Sequence, residues 1–427
     1  MAHDVSDAGL NPSYPVFLPA FQKVTIKNIM DRTKHRDFPG SNELNWYRPD
    51  NDHWKHLAGL YSLGHSKLEK DDTAEALLTT RDRERTILIA DSGGYQIGKG
   101  TFSKYKNQIN REFLRSDGYN QMLKEILEWM ERYADYSMIV DFPAWAVGEE
   151  GFILPNVDEC LAETKYNCEF FRDNYDRNSA VRFLTVIQGT YYGEALKWYE
   201  TIKAVKDFPN RGWSFAGPVA GNPTITLKMI LTMWRDGRLS ERENWIHLLG
   251  KGSLKAMFVY SVLQQCINEY LFKGAVLSYD VSSPFLMTSY GQLYSHAVSN
   301  SNGMSFQDIL MKPSDFTLNK TRHKEWCVWK SPFADDIDLN EFFNEEKKHD
   351  LDMRSYTIAA HHNVWVTKKA ADMINFQASL PDAELYGLVP GKFINFRRDV
   401  RRIFENFSDR TNIGNLPISN DYAGLIE

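Results

Sequence analysis

The chain has 427 residues, 43% of them hydrophobic, with a formal net charge of −6, enough apolar material for a large core and too acidic for a protein coated in positive charge. No run of ~18 apolar residues occurs, and Met1-Ala2-His3-Asp4 lacks the basic start of a secretory signal. Cys160, Cys168, Cys266 and Cys327 are too few and scattered for a disulfide framework, so a soluble, cytoplasmic protein with no membrane partner is expected.

In chain order, short β-branched or aromatic runs predict strands at Val16 to Pro19, Thr86 to Ala90, Ser137 to Val140, Phe183 to Ile187, Trp213 to Phe215, Trp245 to Leu249 and Ala275 to Ser278. From the second onward they recur about every 30 to 50 residues, the spacing of β/α units. Helical periodicity fills the gaps, as in Tyr119 to Tyr133, where Met122, Ile126, Leu127 and Met130 share a face. Residues 32–78 match no element and read as an insertion near the barrel mouth. The expected fold is an α/β (β/α)8 TIM barrel over residues 1–315, followed at 316–427 by a basic C-terminal segment and a closing helix.

The predicted strands end on polar or glycine residues: Asp91, Asp141, Gln188, Gly217, Gly250 and Asp280. In a parallel barrel those ends converge on one mouth, where the active site sits. Taken singly, each aspartate is as well explained as a loop or helix cap. Taken together, they predict three carboxylates around a common pocket.

Asp91-Ser92-Gly93-Gly94-Tyr95-Gln96 is the most specific motif, and it matches, after a strand, the signature of tRNA-guanine transglycosylases. Pro15 to Pro19, Val186 to Gly189, Phe215 to Val219, His247 to Gly252, Asp280-Val281-Ser282-Ser283-Pro284, His362-Asn363 and the helix Phe393 to Phe407 resemble further pieces of that family in the right order. The chain is therefore similar to the guanine transglycosylase superfamily over most of its length.

That resemblance implies roles. Asp280 is the expected nucleophile and Asp91 the general acid and base, following the two-carboxylate logic of retaining glycosidases. Asp141 is expected to accept from the guanine N1–H and exocyclic amine, and Ser92, Gln188 and the backbone at Gly217 to complete the base site. Tyr95 reads either as a stacking partner for the base or as a core aromatic. A target nucleotide must be flipped or single-stranded. Two basic patches are candidates for its backbone: Lys320, Arg322 and Lys324, interleaved with Trp326 and Trp329, and Arg397, Arg398, Arg401 and Arg402. Charge runs of this kind are also what solvated helix faces carry.

The sequence departs from the tRNA enzymes in two places. Of their zinc ligands only Cys327 and His362 survive, with Trp329 and Pro332 where the other thiols belong, so no structural zinc or other cofactor is expected. Their Pro-Thr-Arg after the nucleophile is here Pro284-Phe285-Leu286. The resemblance is accordingly to the DNA-guanine transglycosylases of bacteria and their viruses, which implies exchange of guanine in DNA for 7-cyano- or 7-aminomethyl-7-deazaguanine and admits a homodimer. The competing readings are a tRNA-guanine transglycosylase without zinc, a non-catalytic nucleic-acid-binding paralogue, and a carbohydrate-active barrel enzyme.

Overall fold

The structure, a computed structural model, describes residues 10–30, 41–70, 72–205, 210–310, 327–332 and 353–427. Eight parallel strands close into a barrel in sequential order: β1 (Val16–Phe21), β2 (Ala58–Ser62), β3 (Ile87–Asp91), β4 (Tyr136–Met138), β5 (Arg182–Ile187), β6 (Asn210–Phe215), β7 (Trp245–Leu248) and β8 (Val276–Val281). Closure comes from β8 pairing with β1, where Asp280 is opposite Leu18. Helices follow the strands outside the barrel, and the expected TIM-type α/β architecture is what the chain adopts.

Two expectations change. Residues 32–78 contain β2, a full member of the barrel that pairs with both β1 and β3, and are not merely an insertion. Its sequence, Ala-Gly-Leu-Tyr-Ser, is short and contains glycine, so it carries little strand propensity of its own; pairing on both sides supplies what the sequence lacks. The last strand also runs further than predicted, so Asp280 lies within β8 and not beyond it.

The core has two layers. Inside the barrel, Val16, Leu18, Leu60, Ile87, Ile89, Tyr136, Met138, Leu184, Val186, Trp245 and Val276 form one apolar cluster. The alternate residues pack outward against the helices in a second, larger one. Tyr136 and Trp245 plug the lumen with ring centroids 4.1 Å apart, and the Trp245 indole donates to Ser278 Oγ at 2.7 Å.

After β8, a hairpin of β9 (Gln292–Asn300) and β10 (Gly303–Leu310) forms a separate antiparallel pair. Helix Met353–Ser379 packs against helix Leu254–Cys266, β9 and the first helix, Lys23–Met30, closing the outer ring. Helix Gly391–Glu405 lies outside helix Leu254–Cys266. The closing segment then climbs the barrel wall: Lys228 donates to Gly414 O and Ser253 to Ile426 O, which brings residues 423–427 to the carboxyl mouth. Among the described residues no helix is long and apolar enough to cross a membrane.

Emptying the barrel floor should be costly. Trp245→Ala is expected to lower unfolding free energy in urea by roughly 3–5 kcal/mol; a loss under about 1 kcal/mol would mean that the floor is not packed as described.

Candidate active site

Period-two alternation explains which polar residues reach the lumen. Asp91 is two residues above the inward Ile89, Gln188 two above Val186, and Asp280 two above Ser278 and four above Val276. Asp141 arrives differently. β4 ends at Met138, Ile139 and Val140 both join the outer core, and the irregular stretch turns Asp141 inward. All four line one cavity of ≈ 760 Å³ at the carboxyl ends of the strands, together with Tyr95, Trp145, Gly217, Leu249, Lys251 and, from the closing segment, Ala423, Gly424 and Glu427.

Asp280 is fixed by its surroundings. The Gly250 N–H donates to Oδ1 at 2.6 Å, and His247 Nε2 stands 3.3 Å from the same oxygen. Gly250 has φ +68°, a left-handed conformation that glycine adopts without strain.

Asp91 is enclosed by protein, with part of its surface open to the cavity. Burial raises its pKa above the usual carboxylate range, and the neighbouring Asp280 charge adds to this; the Ser62 hydroxyl, the Gly93 N–H and His247 act in the opposite direction. The protonated form that a general acid needs is thereby favoured. Asp141 is pushed up to about 7, chiefly by burial and further by the Asp91 charge, against the opposing hydrogen bond from Gln188. Gln188 Nε2 donates to Asp141 Oδ2 at 2.6 Å, and the buried Gln188 Oε1 has no hydrogen-bond partner among the described residues.

Glycines permit the close packing of these loops. A Cβ on Gly94 would lie 1.8 Å from the Asp141 carbonyl oxygen, so only glycine lets the turn after β3 rest on the turn after β4. Gly93, at φ +77°, starts that turn. Gly217 has φ +55°, and a Cβ there would meet the Trp145 ring at 2.7 Å. Trp145 is 44% exposed and stacks on Tyr95 with centroids 5.2 Å apart, so Tyr95 belongs to the cavity wall and not to the core.

Not every predicted residue reaches the cavity. Ser92 is fully buried, and its hydroxyl is not on the cavity wall. Arg397 is also buried: it donates to the carbonyls of Ala378 and Leu380 and lies 3.4 Å from Asp382, so it locks a helix end and cannot grip phosphate. Arg398 pairs with Asp382 and Arg402 with Asp399, while Arg401 lies 3.9 Å from Glu269. Glu269 is at the far end of the helix that descends from β7, which places this arginine patch at the barrel end opposite the mouth. Lys320, Arg322 and Lys324 lie outside the described residues.

The chain does bring Cys327 and His362 together, Sγ to Nε2 at 3.7 Å. His362 Nε2 lies against Tyr294 O and Nδ1 against Ser331 Oγ, and among the described residues no group of three or more His, Cys, Asp or Glu comes together there. Sequence reasoning missed Trp145, Lys251 and His247 as site residues. His247 was findable, being two residues beyond an inward-facing Trp in an alternating strand; Trp145 and Lys251 carry no such signal.

No protein-family model matches the chain, and no curated protein matches it in sequence.

The contact between the β3 and β4 turns can be tested directly. Gly94→Ala should destabilise the protein by about 1–3 kcal/mol or more through steric overlap, whereas Gly391→Ala, which meets nothing within 4 Å, should be near neutral. Equal stability of the two variants in urea titrations would refute the close approach.

Proposed function

We propose that the protein is a guanine transglycosylase acting on DNA, exchanging guanine for a 7-deazaguanine through a covalent link to Asp280. The observation that carries this reading is the convergence of Asp91, Asp141, Gln188 and Asp280 on one cavity of nucleoside size. Nucleophile, acid and base-reading groups are all represented in it.

In the first half-reaction an Asp280 oxygen attacks C1′ of a flipped-out guanosine as the C1′–N9 bond breaks, and Asp91 gives its proton to the departing base. In the second, the incoming 7-deazaguanine loses its N9 proton to Asp91, and N9 attacks C1′ from the face the first base left, returning the Asp280 carboxylate. Asp91 ends protonated, as it began. Every bond and proton in the cycle is handled by the chain's own carboxylates.

Base selection falls to Asp141 and Gln188. A carboxylate and a free amide oxygen side by side are acceptors, complementary to the N1–H and exocyclic amine of a guanine edge. Tyr95 and Trp145 supply aromatic surface at the mouth for stacking. The choice of DNA over tRNA rests on the absent zinc motif and on Pro284-Phe285-Leu286 after the nucleophile.

Two experiments test the proposal. Incubating the protein with DNA or tRNA and labelled 7-cyano-7-deazaguanine should move label into DNA; label in tRNA alone would overturn the polymer assignment. Asp280→Ala should lower exchange by roughly three orders of magnitude or more and abolish the covalent DNA adduct on a denaturing gel, while normal exchange would remove the nucleophile assignment. Guanine affinity should also rise with pH through about 7, because Asp141 accepts two hydrogen bonds only once ionised. Asp141→Asn should flatten that profile, and affinity that falls as pH rises would show that Asp141 works as a donor.

A further inference from the structure

Resting on the reading of Asp280 as nucleophile, we infer that His247 is a positioning residue for it, holding one carboxylate oxygen so that the other faces the sugar. His247 is fully buried in β7, directly beneath the cavity. Its Nδ1 lies 2.9 Å from Ser278 Oγ, and that oxygen accepts the Trp245 indole N–H at 2.7 Å. An indole nitrogen only donates, so the Ser278 hydroxyl keeps its single proton free to give to Nδ1. With Nδ1 accepting, the imidazole proton that faces Asp280 is the one on Nε2.

That nitrogen faces Asp280 Oδ1 at 3.3 Å and has no other hydrogen-bond partner among the described residues. Its alignment falls short of a full hydrogen bond, as is common for catalytic contacts that tighten only in the complex with substrate. Oδ1 already receives the Gly250 N–H at 2.6 Å. Two donors on Oδ1 leave Oδ2 as the nucleophilic atom. When the glycosyl–aspartate bond breaks in the second half-reaction, the same pair receives the re-forming carboxylate. His247 keeps its proton throughout: the bonds that form and break are those at C1′, and the mobile proton stays on Asp91 or the base. The titratable groups facing His247 are Asp280 and, through space, Asp91. The chain from Trp245 through Ser278 to His247 thus ties the barrel floor to the reacting carboxylate, and it fixes the imidazole tautomer as an outer hydrogen-bond partner does for a metal-bound histidine.

The test compares His247→Leu and His247→Gln in the full chain. His247→Leu should slow formation of the DNA–protein adduct in single-turnover experiments by roughly 10–100-fold, with guanine affinity within about twofold of wild type because Asp141 and Gln188 are untouched. His247→Gln, which keeps a donor at the same reach, should recover most of the rate. A wild-type rate in His247→Leu, or parallel loss of guanine binding, rate and melting temperature in both variants, would overturn the inference and leave His247 a core residue. A second readout needs no turnover. Nitrogen-15 spectra of the imidazole should show the Nε2–H tautomer, and Asp280→Asn should move that resonance while Asp141→Asn leaves it in place; an Nδ1–H tautomer would refute the assignment. If wild-type protein forms no adduct with either nucleic acid yet shows the coupled Nε2–H resonance, the transglycosylase reading fails and the His247–Asp280 contact stands.

Discussion

A closed eight-stranded barrel has a lumen only wide enough for side chains, and each strand offers it every second residue. In this protein the lower inward positions are filled by apolar side chains, with Tyr136 and Trp245 wedged across the floor. Polar groups are tolerated inside only where the filling stops, at the carboxyl ends. Asp91, Gln188 and Asp280 continue the alternation that packs Ile89, Val186 and Val276, so the packing of the core and the aiming of the site are one constraint. A one-residue slip in any of these strands would turn its functional side chain into the layer of helices.

Confinement then sets the electrostatics. Carboxylates that share a poorly hydrated space cannot all ionise freely, and each raises the proton affinity of the next: Asp280 acts on Asp91, and Asp91 on Asp141. The donors around them are unevenly distributed. Asp280 has the Gly250 amide and the nearby His247, Asp141 has the Gln188 amide, and Asp91 is dominated by burial. Chemically identical side chains are thereby placed in unlike surroundings, the arrangement by which acid–base enzymes set carboxylates apart.

Much of this was legible in the chain. Seven strands announced themselves by β-branched and aromatic runs, and the polar residues ending them marked the mouth. β2 did not, because Ala58–Ser62 owes its conformation to its two neighbours and not to its composition. The arginines at 397–402 were visible as an amphipathic helix, and Arg402 finds Asp399 on that helix, but the partners of Arg397, Arg398 and Arg401 are set by tertiary packing against Asp382 and Glu269, and nothing local says that Arg397 is buried or that the patch faces away from the mouth. Ser92 illustrates the limit of motif reading. It stands in the most specific hexapeptide of the chain, yet alternation places it behind the wall that Asp91 helps to form.

The contact of Gly94 with the Asp141 carbonyl has a wider consequence. It joins the turn that carries Asp91 to the turn that carries Asp141, so the two cannot be repositioned independently. Any shift that re-aims residue 141 therefore also moves residue 91, and the two carboxylates can change place only together.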